Sequence, residues 1–121
     1  DEPLFRDITR SILEKYGYRV LTATDGADGV AIMAQHRSEV ALAITDMMMP
    51  IMDGTATLRG LRRINPQLRL LATSGIPVPE RFQPLGTGER VPFLLKPYST
   101  VRLLEAVHEA LASPSVRVLA P

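Results

Sequence analysis

Cysteine and tryptophan are both absent from this chain, so disulfide frameworks, thiolate nucleophiles and zinc–thiolate sites are excluded. Histidine is scarce: His36 and His108 stand far apart in sequence, without metal-ligand spacing. Charge of one sign is not in excess either. Lys and Arg number 14 against 13 Asp and Glu, a formal net charge of +1 that leaves no footprint for nucleic acid or an anionic membrane. No apolar run has the length needed to cross a bilayer. The opening Asp1-Glu2-Pro3 does not read as a signal peptide. The expectation is a cytoplasmic protein, with no nucleic-acid partner and no membrane contact by this domain.

What is present fits one globular domain. The chain has 121 residues, 45% of them hydrophobic, and a domain of this size buries roughly two thirds of its unfolded surface. Leu4, Phe5, Ile8, Ile12, Leu13 and Tyr16 recur at helical spacing, with Pro3 tolerated in the first turn and Gly17 as a stop. Arg19 to Thr24 is short, β-rich and bounded by glycines, which predicts a strand. A second helix is expected from Gly26 to His36. Glu39 to Thr45 carries the run Val40-Ala41-Leu42-Ala43-Ile44 without polar alternation, the pattern of a strand covered on both faces. A third helix is predicted over Thr55 to Ile64, ended by Asn65-Pro66. Strands at Leu68 to Thr73 and Val91 to Leu95 follow, and Ser99 caps a last helix running to Ala112. Residues 113–121 form a tail.

Strands alternating with helices imply parallel strands joined by right-handed crossovers, and such sheets bind ligands at the carboxyl ends of their strands. Asp46, Ser74 and Lys96 each fall just past a predicted strand. Singly each has an ordinary reading: strand-end aspartates cap turns, lysines there are solvated charges, and Ser-Gly is turn chemistry. Together they set a carboxylate, a hydroxyl and an ammonium on adjacent loops, groups that could accept, hydrogen-bond and neutralise a phosphoryl group. Asp1 would add a second carboxylate. Two carboxylates with room for water and phosphate oxygens suit Mg²⁺. Elsewhere the plainer readings stand: at least one of Met47, Met48 and Met49 packs in the core, Tyr98 is a surface or partner-facing residue, and Arg62-Arg63 is a solvated helix face.

These residues also carry a resemblance. Asp1-Glu2-Pro3, Thr45-Asp46-Met47-Met48-Met49-Pro50, Met52-Asp53-Gly54, Ala72-Thr73-Ser74-Gly75 and Phe93-Leu94-Leu95-Lys96-Pro97-Tyr98 resemble, in order, the receiver domains of response regulators in two-component signalling. The resemblance implies a flavodoxin-like, doubly wound parallel sheet. It further implies that Asp46 accepts a phosphoryl group from a histidine kinase or a histidine phosphotransfer domain. Asp1, Asp46 and the backbone carbonyl of Met48 would hold Mg²⁺. Lys96 would pair with a phosphoryl oxygen, Ser74 would move toward the phosphate, and Phe93 would swing inward with it. Pro97 is expected to follow a cis peptide bond, and Gly54 to let the loop past Asp46 fold back tightly.

Two departures from the family pattern stand out. The segment from Ile76 to Arg90 holds Pro77, Pro79, Pro84, Gly86 and Gly88, so at most a turn or two of helix is expected, near Pro79 to Leu85, where relatives carry a regular helix. The chain also begins at what resembles the loop after the usual first strand, which is expected to be absent from it. The β-prone segment Val116-Arg117-Val118-Leu119-Ala120 is a candidate to replace that strand, within the chain or swapped into a homo-oligomer. Ala72-Thr73-Ser74-Gly75 and Phe93 to Tyr98 resemble receivers at the C-terminus of hybrid sensor histidine kinases. A stand-alone regulator and a degenerate receiver acting as an interaction module are the alternatives. A haloacid-dehalogenase-like phosphatase would need a second aspartate two residues past Asp46, where Met48 stands.

Overall fold

The computed structural model describes residues 2–47, 54–75, 85, 89 and 91–112, without the side chains of residues 2, 3 and 5. Asp1, Met48, most of the segment 76–90 and the tail 113–121 lie outside the described residues. So do the expectations placed on them.

The described elements run α1 (Glu2–Lys15), α2 (Gly26–Gln35), β1 (Leu42–Asp46), α3 (Gly54–Ile64), β2 (Arg69–Ser74), β3 (Phe93–Leu95) and α4 (Thr100–Ala112). The three strands form one parallel sheet in the order β1-β2-β3. Alternation along each strand sorts its side chains between two cores. Leu70 and Ala72 of β2, with Ala43 and Phe93, meet α2 and α3 through Met33, Leu58 and Leu61. Leu71, Leu42, Ile44 and Leu94 point the other way, toward Leu13 of α1 and Leu103, Ala106 and Val107 of α4. Helices on both faces make the sheet doubly wound.

Local chemistry sets the helix ends. Gly17, at φ +95°, takes the left-handed conformation that a helix stop requires, and the Tyr18 N–H donates back to the Leu13 carbonyl. Asp25 caps α2 by accepting from the Asp28 N–H at 2.8 Å, while Asp28 accepts from the Thr24 N–H at 2.9 Å. This reciprocal pair satisfies two donors at once. Leu4 and Ile8, expected on the apolar side of α1, are 60% and 49% exposed, so that helix contributes chiefly Leu13 and Ile12 to the packing.

Several expectations are corrected. Arg19 to Thr24 is not a strand: among the described residues it joins no ladder. Its composition fits a pleated surface, but β-propensity acts through cross-strand neighbours, and none of the described strands lies beside it. A groove of about 1210 Å³ separates Arg19–Ala23 from β1, whose outer edge carries no described strand. Asp46 and Ser74 are the last residues of their strands rather than the first of the loops. Arg62 is not a solvated side chain. It bonds Glu89 through Nε and Nη2 at 3.1 and 2.6 Å and also donates to the carbonyls of Asn65, Pro66 and Leu68. One guanidinium thus gathers the carboxyl end of α3 and the approach to β3, using several of its fixed donors. Arg63 is exposed, as expected.

Leu58 makes no contact with solvent. Leu58→Ala should lower the unfolding free energy by about 2–5 kcal/mol, whereas Ile8→Ala should change it by no more than about 0.5 kcal/mol. Urea unfolding of the two variants checks this; equal midpoints would contradict the core assignment.

Candidate functional site

Parallel pairing brings the strand ends together. Asp46 lies opposite Thr73, and Ser74 lies opposite Leu95. Backbone bonds extend the register one residue further on each side, Met47 N–H to the Thr73 carbonyl at 2.9 Å and Lys96 N–H to the Ser74 carbonyl at 2.7 Å. The ends of β1 and β3 are therefore fixed against the end of β2 before any side chain is considered.

Across that end the Lys96 ammonium donates to the Asp46 carboxylate, Nζ to Oδ2, at 2.6 Å. Both side chains are mostly buried, 13% and 16% exposed. A charge-assisted bond of this length, held in a low-dielectric crevice, is stronger than its solvated counterpart. Asp46, Thr73 and Lys96 share the wall of the groove beside β1. Ser74 is buried at the end of the middle strand, and Phe93 is half-buried opposite Ala72, packed toward the α2–α3 core. Of the residues singled out from sequence, then, Asp46, Lys96 and Ser74 gather at one edge of the sheet; Asp1 and Met48 lie outside the described residues.

A Cβ at Gly54 would fall 2.5 Å from Met47 Cα, so the return of the chain from Asp46 into α3 has room only for hydrogen there. The Lys96–Pro97 bond is cis. Ser99 then caps α4, its Oγ accepting from the Arg102 N–H at 3.0 Å.

Sequence reasoning passed over Thr73, which faces Asp46 in the register; strand alternation alone does not separate it from Ser74. Tyr98 is a correction. It is half-buried, packs against the α1–α4 core and shares a hydrogen bond with Thr9 Oγ1 at 2.9 Å, tying the loop after Lys96 to α1. A separation of 89 residues leaves no local pattern from which that bond could be read.

The arrangement can neutralise and orient an anion. Its described carboxylate and ammonium sit at the carboxyl ends of parallel strands, where such sheets bind ligands. Among the described residues no group of three or more metal-ligating side chains is found.

Comparison with known proteins points the same way. The family model described as response regulator receiver domain matches residues 1–108. The chain is 33% identical over 99 residues to the sensor kinase CckA of Brucella abortus, covering 82% of this chain and 10% of that protein. It is 29% identical over 112 residues to the chemotaxis protein CheY of Bacillus subtilis, covering 92% of each. Among solved structures, the receiver domain of the hybrid histidine kinase CckA superposes with a TM-score of 0.76 at 31% identity, covering 92% of this chain and 93% of that one. The receiver of the sensor histidine kinase PA1611 from Pseudomonas aeruginosa, solved with magnesium in its active-site cleft, shares the fold at TM-score 0.78 and 20% identity, covering 93% of each chain. The chain spans 10%, 48% and 23% of the length of three of the curated relatives it matches.

Two glycines separate close approach from ordinary helix preference. Gly54→Ala should destabilise the fold by about 1–3 kcal/mol, because Met47 backbone must move. Gly29→Ala, whose Cβ would lie 3.6 Å from Ala23 Cβ, should be neutral or stabilising by about 0.5–1 kcal/mol. Thermal and urea unfolding of both variants reads the difference in sign.

Proposed function

This chain belongs to the response regulator receiver domain family, and from that premise we propose that Asp46 is its phosphoacceptor in a two-component relay. The observation that carries the reading is the Lys96 ammonium 2.6 Å from the Asp46 carboxylate at the carboxyl ends of a parallel sheet. In the proposed step an Asp46 carboxylate oxygen attacks the phosphorus of a phosphohistidine. A P–O bond forms, the P–N bond breaks, and the imidazole leaves with the electron pair and takes up a proton. Lys96 keeps its charge and turns from the carboxylate to a phosphoryl oxygen, where fixed positive charge stabilises the transferring group. The Ser74 hydroxyl, at the end of the middle strand, supplies a donor on the other side. Mg²⁺, held by Asp46 with Asp1 and the Met48 carbonyl, would neutralise phosphoryl charge.

The acyl phosphate then carries more negative charge and more acceptor oxygens than the carboxylate it replaces. States in which Ser74 and Lys96 lean inward are favoured by those acceptors, and Phe93, next to Ala72 in the sheet, follows Ser74. The phosphoryl donor is a histidine kinase or a histidine phosphotransfer domain, encountered in the cytoplasm. We place the domain as the receiver module of a hybrid sensor histidine kinase, on the likeness to CckA. A stand-alone regulator is the second reading, favoured by the CheY match across 92% of each chain. A histidine-kinase core encoded in the same reading frame would support the first, and its absence the second.

Acetyl phosphate with Mg²⁺ should add about 80 Da, the mass of one phosphoryl group, to the intact protein. Mass spectrometry should find the gain lost in Asp46→Asn; no gain in the folded parent protein would favour a degenerate receiver. Lys96→Ala should slow phosphoryl uptake by about 10²–10³-fold, as removal of one charge-stabilising donor does elsewhere. An unchanged initial rate would remove Lys96 from the proposed chemistry.

A further inference from the structure

The bond between Lys96 and Asp46 passes over one residue of the middle strand. Asp46 pairs with Thr73 across the β1–β2 ladder, and Thr73 pairs with Leu94, two residues before Lys96, across the β2–β3 ladder. Side chains of a strand alternate between the two faces of its sheet. Ile44, Leu71 and Leu94 belong to the α1–α4 core. Alternation therefore carries Asp46, Thr73 and Lys96 to that face, and Ser74 to the other.

Thr73 is 3% exposed. Its carbonyl accepts from the Met47 N–H, yet among the described residues no donor or acceptor meets its side-chain hydroxyl. The position is interior: described strands flank β2 on both sides and helices cover both faces. A buried hydroxyl left without a partner is costly, and such groups are few in native proteins. Valine has the same branched shape, suits a strand as well and carries no such cost. The Thr73 hydroxyl calls for a partner, and the resting site does not supply one.

We propose that Thr73 Oγ1 donates to the acyl oxygen of phosphorylated Asp46, taking the place that Lys96 leaves; this rests on Asp46 being the phosphoacceptor. When one carboxylate oxygen bonds phosphorus, Lys96 turns to a phosphoryl oxygen, and the second carboxylate oxygen loses the ammonium. Adjacent strands stand about 4.8 Å apart. A hydroxyl and a carboxyl oxygen rising from one face close that span through a χ1 rotation of Thr73. The demand on the donor changes along the reaction. In hydrolysis a water oxygen attacks phosphorus, the P–O bond to Asp46 breaks, and its electron pair returns to the carboxylate. Both protons of the water leave on the phosphate. Negative charge on the carboxyl oxygens is thus greater in the transition states of uptake and loss than in the acyl phosphate, and a donor there lowers both barriers. Lys96 serves the phosphoryl side and Thr73 the carboxyl side.

Thr73→Val removes the hydroxyl and keeps the branched shape, whereas Thr73→Ser keeps the hydroxyl. Phosphoryl uptake from acetyl phosphate with Mg²⁺ is followed by mass spectrometry of the intact protein. Thr73→Val should slow uptake about 10-fold, less than the loss of Lys96 does, because the donor is neutral. Loss of the phosphoryl mass should slow as well, and Thr73→Ser should restore both rates. The urea midpoint of Thr73→Val should equal or exceed that of the parent protein, since no bond of the resting fold is removed. Parent-like rates in Thr73→Val, or rates in Thr73→Ser as slow as those of Thr73→Val, overturn the inference. A lowered midpoint overturns it too, by showing that the resting hydroxyl has a partner. No uptake by the parent protein overturns the Asp46 reading and this inference with it; the other failures, with uptake intact in the parent, overturn the inference alone.

Discussion

Asp46 ends β1 and Lys96 directly follows β3, two strands that are not neighbours. β2 lies between them, so their side chains meet over its carboxyl end, and the whole site depends on the three strands ending at the same level. Adjacent parallel strands are separated by about 4.8 Å, which puts the two backbones roughly twice that apart, a span that only the long lysine stem can close. What stands at the end of β2 must therefore be small. Ser74, the buried last residue of β2, meets that requirement. Level strand ends follow in turn from the register, and the register follows from burial. A one-residue slip of β2 would exchange Leu70 and Ala72 with Leu71 and present each to the wrong core.

Much of this was legible in the residues. The run Val40 to Ile44, with no polar alternation, is the signature of a strand with helices on both faces, and Ala43 and Ile44 do face opposite cores. Gly17, Asn65-Pro66 and Ser99 act through their own backbone and side-chain chemistry, so helix limits drawn from them fall within a residue or two of those found. Asp46, Ser74 and Lys96 were placed at the carboxyl edge by the same periodicity. Strand ends shifted by one residue, which moves Asp46 and Ser74 from loop to ladder without changing which edge they occupy.

What was not legible is non-local. Arg19 to Thr24 has the composition of a strand, yet a strand exists through its partner, and composition says nothing of whether a partner stands alongside. Arg62 beside Arg63 looks like solvated charge until Glu89 and three carbonyls converge on it. That convergence depends on how α3 meets the approach to β3, a tertiary fact. Tyr98 likewise gains its role from Thr9, at the other end of the chain. Polar side chains with several donors or a terminal hydroxyl are where sequence reading fails most easily, because burial changes their meaning and periodicity does not register it.

The ion pair itself is poorly suited to a merely stabilising role. Two charges held mostly out of water give up hydration that their mutual attraction only partly restores, so such pairs add little net stability. Removing one partner is another matter, since the remaining charge loses its opposite while still mostly buried. A structure built this way is insensitive to the pair while it is intact and responsive to any change in the charge opposite Lys96. In the proposed relay, conversion of the Asp46 carboxylate to an acyl phosphate would alter both the charge and the position of the acceptor oxygens. Tyr98, bonded to Thr9, and the Ser99 cap at the start of α4 hold the backbone that follows Lys96. Under that proposal, the small net stability of the resting pair is what would let a single covalent change at Asp46 redirect the contacts of Lys96.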